Sequence, residues 1–336
     1  MTLKKYIIHA NGSDPWSHLA LEEFYLSKSA DDIIYLLFYV NSPCVVIGKN
    51  QNPWGEVNLE YIKKQRIRLA RRFSGGGAVF HDPGNLNYSI IFPRSLFNPE
   101  KQLEIIQKAL SQWGIDTVQT RQHALFTDGK KISGNAFCLK KKTCCIHGTL
   151  LVSTDLNKLR ESLVGNKSIF ESKGVNSIPA EVTNLSLINS EITLASLKMS
   201  IQKAFSESFG IEETRLFTHC KSDKSLENDA MKFRAKQRSW EWRFGQTPFF
   251  KFFYQKGWQG REIKIYFYVN EGRIANAQVV SAGTVGHSIQ DCLNKLLNGI
   301  PLRKEAVHEP LNQFKQSISG EHNQAIVGWI RDLCYE

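Results

Sequence analysis

Residues 71–90, RRFSGGGAVFHDPGNLNYSI, concentrate the chemistry of this chain. Gly75, Gly76 and Gly77 follow two arginines and a serine, and Ala78, Val79 and Phe80 come straight after them. Three consecutive glycines cost backbone entropy, and they offer a main chain with no Cβ atoms that a flat or charged ligand can approach. Their N–H groups can converge on an anion. Arg72 adds a permanent planar cation suited to phosphate or carboxylate, and Ser74 adds one more donor. A plain glycine-rich turn between two strands, with the arginines solvated, is the structural alternative. No Gly-Lys-Ser/Thr follows as in a P-loop, and GGGAVF lacks the third glycine of a dinucleotide fingerprint.

A second motif, Gly129-Lys130-Lys131-Ile132-Ser133-Gly134, suits a strand edge that turns one lysine inward. Taken with the glycine loop, it suggests that backbone donors hold a phosphate while Lys131 neutralises charge on an acyl or phosphoryl oxygen. A donor fixed in a dry site is typically worth about 10²–10³ in rate. No GxSxG elbow or Ser-His-Asp spacing is visible. His81 and Asp82 are neighbours on a predicted strand and face opposite sides, so they do not form a dyad. His147 can make polar contacts or serve as a satisfied structural histidine. The nine histidines show no metal-binding spacing, and the metal ligands are left unknown.

The elements that position these motifs follow from periodicity. Residues 4–9 read as a strand, and Asp14-Pro15 opens a helix carrying Trp16, Leu19, Ala20, Phe24 and Leu26, with Glu22 and Glu23 among them. Residues 33–40 and 44–47 are expected to pair as a hairpin across Asn41-Ser42-Pro43. The polar loop 48–54 can lie on a ligand or simply connect. Leu86, Tyr88 and Ile90 alternate as a half-buried strand, residues 99–113 form an amphipathic helix ended by Gly114, and 132–139 and 144–152 are strands. A helix over 194–209 closes at Gly210, and a polar helix runs over 223–238. A domain boundary is placed at Thr247-Pro248. Three strands (251–254, 261–269, 273–280) and helices from about 288, 303 and 321 follow it.

A chain of 336 residues suits roughly two domains. With 42% hydrophobic and 22% charged residues, the composition is that of a soluble globular protein. No apolar run approaches the roughly 18 residues of a membrane span. The first residues resemble neither a signal nor a transit peptide, so a cytoplasmic chain, or a processed organellar one, is expected. Seven cysteines without CxxC spacing fit a reducing compartment. A net charge of +11 favours an acidic partner. Nucleic acid ranks second, because no interleaved basic and aromatic signature appears.

RRFSGGGAVFHDPGN resembles the signature of the lipoate–protein ligase A family. DPWSHLALEE, VVIGKNQNPWGE, GKKISGNAF, HGTLL and SWEWRFGQTPFF resemble that family's other segments, in its order and over nearly the whole chain. The resemblance implies an α+β fold. Its catalytic domain over 1–247 is like those of biotin ligases and class II synthetases, with mixed sheets flanked by helices. A small α/β accessory domain follows over 248–336. It implies that lipoate and ATP, with Mg²⁺, give lipoyl-AMP, and that a lysine of an acidic lipoyl domain then takes the acyl group. The implied acceptors are 2-oxoacid dehydrogenase subunits and the glycine cleavage H protein, and the enzyme is expected to be a monomer. Carried onto this chain, Arg72 and Gly77, Ala78, Val79 and Phe80 would contact the nucleotide. Ser74, Gly75 and Gly76 would lie near the lipoyl-adenylate, and Lys131 would bridge the lipoyl carbonyl and the α-phosphate. Two departures stand out. Gln122-His123 replaces the family's Asn-Asp pair, which bears on ATP activation more than on transfer from preformed lipoyl-AMP; Asp128 is a candidate substitute carboxylate. Ile146 replaces the first of two histidines before Gly148. Octanoyl transfer from a carrier protein would want a placed nucleophilic cysteine, and none accompanies Lys131.

Overall fold

Strands that are apolar on both faces build the central sheet of the chain, as seen in a computed structural model that describes residues 3–28, 31–165, 167–209, 214–218, 224–258, 261–280, 284–317 and 321–334. Its six strands run in the order β10, β11, β6, β2, β1 and Thr214–Thr218. Here β1 is Lys4–His9, β2 Ile33–Tyr39, β6 Asn85–Pro93, β10 Asn135–Leu139 and β11 Thr143–Leu151. β1 pairs parallel with β2, while β2–β6, β6–β11 and β11–β10 pair antiparallel. A three-stranded sheet sets β3 (Cys44–Ile47) between β4 (Arg68–Arg71) and β5 (Val79–His81). Another holds β7 (Val118–Gln119), β8 (Leu125–Thr127) and β9 (Lys130–Ser133).

The expected hairpin of residues 33–40 with 44–47 does not form: β2 lies inside the six-stranded sheet and β3 in a different one. The reason is burial. Ile34, Leu36 and Phe38 face one core while Leu37 and Tyr39 face another, so β2 needs a strand on each side and cover on both faces. Helices Pro99–Ser111 and Leu194–Phe209 cover the first face through Leu103, Ile106, Leu110, Leu197, Ile201 and Phe205. Asn98 caps the former by accepting from the Lys101 N–H at 3.0 Å, and Gly114 follows it with a positive φ of 70°. Helix α1 (Pro15–Lys28) covers the other face. Alternation therefore sends Tyr88, Ile90 and Ile146 to the large core, and turns Ser89 and His147, paired across β6 and β11, toward α1.

The chain divides into two compact units. The first is Met1–Gly48, Arg68–Arg160 and Ile178–Arg238; the second is Lys49–Ile67, Glu161–Ser177 and Ser239–Glu336. The division near the C-terminus thus falls at Arg238/Ser239 rather than at Thr247-Pro248, and two earlier segments join the later unit. Aromatic contacts that no local pattern reveals account for this. Trp240 stacks on Phe244 at 5.9 Å between centroids, and Phe244 meets Trp54 at 5.1 Å. In the second unit Phe170–Ser172, Phe250–Trp258, Arg261–Asn270 and Arg273–Val280 form an antiparallel sheet. Trp329 of helix Glu321–Asp332 packs on Phe252, Tyr254 and Phe267. The polar loop at 50–52 is engaged structurally: Asn52 caps helix Pro53–Glu56, and Gln51 donates to Glu56 and Ser177. Gly210 and Asp223, named above as helix limits, lie outside the described residues.

Phe205 is the test of the large core. Phe205→Ala is expected to cost about 3–5 kcal/mol in a denaturant titration, with the slope unchanged.

Candidate active site

At the end of β4 the chain turns back on itself, and a buried guanidinium holds the turn. Arg72 Nε donates to Ser74 Oγ at 3.0 Å and to the Gly75 carbonyl at 3.1 Å. Its Nη1 reaches the Val46 carbonyl at 3.2 Å, and its Nη2 reaches the carbonyls of Gly75 and, at 2.8 Å, of Gly77. Carbonyls fixed on the arginine leave the loop's N–H groups facing elsewhere. Burial pulls the Arg72 guanidinium down to about 10, against the opposing charge of Glu22. Two glycines are dictated by space and dihedral. Gly76 sits at φ 87°, and a Cβ on Gly48 would stand 2.1 Å from the Gly76 carbonyl oxygen.

A chain of buried polar groups runs inward from the loop, within the first unit. Ser74 Oγ lies 2.6 Å from His147 Nε2, and His147 Nδ1 lies 3.1 Å from both oxygens of Glu22. Glu22 also accepts from Tyr39 Oη at 3.0 Å and from Ser89 Oγ. Burial alone would raise the Glu22 carboxyl. The imidazole of His147 and the hydrogen bonds from His147, Ser89 and Tyr39 outweigh it, so the group lies below its ordinary value. Glu23, its neighbour, is used differently: it pairs with Lys236 at 2.6 Å and accepts from Gln237, tying α1 to helix Lys224–Arg238.

Lys131 approaches the loop from β9. Its backbone is pinned by the Glu181 carbonyl at 2.8 Å and by the Thr183 N–H at 3.1 Å. Its neighbour Lys130 points outward to Glu181 at 3.1 Å, as the one-lysine-inward reading expects. No carboxylate among the described residues pairs with Lys131 Nζ, and burial followed by the charge of Arg72 lowers its pKa. A Cβ on Gly134 would stand 3.4 Å from that Nζ, and one on Gly76 3.9 Å from Ala136 of β10. The glycine loop therefore borders β10, which directly follows the GKKISG strand, and Arg72 of the loop acts on Lys131. Two half-buried or buried cations meeting with little counter-charge suit an anionic ligand.

Val79 and Phe80 pair with Val46 and Val45 in the three-stranded sheet, and the Phe80 ring is a core side chain at 1% exposure. His81 Nδ1 meets Asn41 at 2.9 Å, and burial, then Arg72, His147 and His18, hold it down to about 3. Asp82 instead accepts from the N–H groups of Gly84 and Asp155, so the two form no dyad. His123 packs its ring edge-on against Phe137 at 4.7 Å and hydrogen-bonds Gln119. Asp128, at φ 47°, occupies the exposed β8–β9 turn with Gly129 at φ 75°. Ile146 faces the large core. Glu22, Tyr39 and Ser89 carried no functional reading in the sequence. The available signal was a glutamate inside the apolar stripe of α1, where an unpaired charge would be costly.

A family model for the lipoyl protein ligase A/B catalytic domain matches residues 14–206. Lipoate–protein ligase 1 of Staphylococcus aureus is 34% identical over 314 residues, covering 92% of this chain and 94% of that protein. A bipartite lipoate protein ligase from Thermoplasma acidophilum, whose structural analysis included its E2 lipoyl domain, aligns at 25% identity. Its TM-score is 0.60, over 72% of this chain and 96% of that one. The crystal structure of a lipoate–protein ligase A bound with ATP aligns at 25% identity with a TM-score of 0.60, over 72% of this chain and 98% of that one. Among the described residues, no helix is long and apolar enough to cross a membrane.

Two outcomes test this geometry. Gly48→Ala is expected to displace the loop, costing about 1–3 kcal/mol in thermal unfolding. The lowered Glu22 carboxyl contributes stability that is fully present above its unfolded value and lost as pH falls through the folded one. Glu22→Gln should therefore flatten the acid limb of the stability–pH curve, read by denaturant midpoints.

Proposed function

This chain belongs to the lipoyl protein ligase A/B family, and from that premise we propose that it is an ATP-dependent lipoate–protein ligase acting at the Arg72 loop and Lys131. The observation that carries this reading is the Lys131 ammonium, which has no carboxylate partner among the described residues and lies in the field of Arg72, the cation that holds the glycine loop. A carboxylate oxygen of lipoate attacks the α-phosphorus of ATP, the bond to pyrophosphate breaks, and lipoyl-AMP forms. The amine of an acceptor lysine then attacks the acyl carbon, and AMP leaves. Lys131 Nζ neutralises charge on the carbonyl and α-phosphate oxygens in both steps. Backbone N–H groups of Gly75 to Gly77 receive the phosphate, while Arg72 keeps the Gly75 and Gly77 carbonyls turned away.

Magnesium, in this reading, arrives with the triphosphate as part of the substrate. No group of three His, Cys, Asp or Glu side chains that could hold a metal stands among the described residues. The acceptor is a lipoyl domain, supported by the archaeal relative studied with its own E2 lipoyl domain and by the net charge of +11, which steers an acidic partner. A cytoplasmic setting is supported by free cysteines at Cys44, Cys144 and Cys145. The Ser239–Glu336 segment and its two partner segments serve as the accessory domain.

Incubation with ATP, Mg²⁺, lipoate and an apo lipoyl domain is expected to add one lipoyl mass to the acceptor. Mass gain only from supplied lipoyl-AMP would move the assignment to an ATP-independent lipoyltransferase. Lys131→Ala should slow adenylation by about 10²–10³ with the fold intact. Because burial and Arg72 lower the Lys131 pKa, its proton is lost earlier than that of an ordinary lysine as pH rises. The alkaline limb of kcat/KM should accordingly fall below the usual lysine range.

A further inference from the structure

The chain Ser74–His147–Glu22 is satisfied in two protonation states, and only one leaves Ser74 with a proton to give. With His147 neutral, Nδ1–H donates to Glu22 and Nε2 accepts the Ser74 O–H. With His147 as imidazolium, Nδ1–H still donates to Glu22, but Nε2–H now donates to Ser74 Oγ. Ser74 Oγ then accepts from both His147 and Arg72 Nε, and its own O–H turns toward a ligand at the glycine loop. No heavy atom has to move. Resting on the reading of this loop as the lipoyl-adenylate site, we propose that the Glu22–His147 pair takes up a proton when the anionic intermediate binds, and so frees the Ser74 hydroxyl to donate to it. Ser74 is then the group that touches the ligand; His147 and Glu22 are positioning residues.

The surrounding charges give the coupling its sign. His147 faces Glu22 from α1 and His81 from β5; Arg72 of the loop acts on Glu22, His81 and Lys131 of β9 and meets His147 through Ser74, while His18 of α1 acts on Glu22 and His81. Tyr39 of β2 and Ser89 of β6 add hydrogen bonds to Glu22 but no charge. In the empty site an imidazolium would be a third cation beside Arg72 and Lys131, with Glu22 the carboxylate in contact. A bound phosphate anion supplies the missing negative charge. His147 is buried and the Phe73 ring lies over it at 5.5 Å, so the interaction is weakly screened. By linkage, an anion that favours the proton is itself favoured by the proton.

The probe is the AMP phosphodiester of octanol, which mimics the acyl-adenylate and carries one phosphate charge that does not titrate near neutrality. Calorimetry in two buffers of different ionisation enthalpy reads the protons taken up on binding. On the alkaline side, wild type should take up close to one proton, with binding about tenfold tighter per pH unit lowered. His147→Gln should lose the uptake and the pH dependence, and Ser74→Ala should keep the uptake while binding several-fold more weakly. Binding by wild type without proton uptake overturns the proposal and needs no variant to be folded. Uptake that survives in His147→Gln and vanishes in Lys131→Met overturns it too, by assigning the proton to the lysine. Failure of wild type to bind the probe at all would instead sink the adenylate-site reading itself.

Discussion

The inward turn of one guanidinium governs the rest of the site. Arg72 is buried and bonds the carbonyls of Val46, Gly75 and Gly77 together with the hydroxyl of Ser74. A buried cation in such a place is tolerable only when its donors are matched, and here the loop's own oxygens match them. The consequence is directional. A loop whose carbonyls are tied to one side presents its N–H groups to the other, and the same three glycines that allow the tight path keep that other side clear of side chains. Gly48 shows how little room is left, since its Cα passes directly beneath the Gly76 carbonyl. Thus Arg72 holds the loop, and in the proposed function Lys131 is the cation that meets the ligand.

Much of this was legible in the sequence, for physical reasons that differ by residue. The glycine triplet announces a backbone site because no other residue type would be chosen for it and few structures require it. Lys131 could be separated from Lys130 by strand alternation, and the ion pair of Lys130 with Glu181 against the half-buried Lys131 follows that division. The helix read over 99–113 forms over 99–111, two residues short of the reading, because periodicity and the Asn98 cap are local while its C-terminal turn is not set by Gly114 alone. What local pattern cannot supply is the partner. β2 reads as half of a hairpin until the cores on its two faces are seen, and residues 49–67 read as a continuation of the first unit until Trp54 meets Phe244 and Phe250. His147 was ambiguous for the same reason: its meaning lies in Glu22, 125 residues away.

Placement of Glu22 shows how an ordinary fold rule produces an unusual site. α1 is buried along most of its length, so a carboxylate in its stripe must find donors or lose its charge. Tyr39, Ser89 and His147 all point at it because strand alternation on β2, β6 and β11 sends those positions to the α1 face. The sheet's apolar alternates, Tyr88, Ile90 and Ile146, meanwhile fill the large core on the opposite side. One register therefore specifies both the hydrophobic packing and the polar chain, and a slip by one residue would destroy both together.

The same register sets Ile146 and His147 on opposite faces of β11. Ile146 sits on the core-facing alternate of β11, where an apolar side chain loses nothing and a histidine would need a partner the core does not contain. His147 sits on the other alternate, within reach of Ser74 and Glu22. His123 packs on Phe137 and bonds Gln119, and its carbonyl receives the Asn135 side chain, so this segment is held by ring packing and hydrogen bonds. In the proposed reaction anion neutralisation falls to Arg72, held by the loop's carbonyls, and to Lys131, held through its backbone by Glu181 and Thr183.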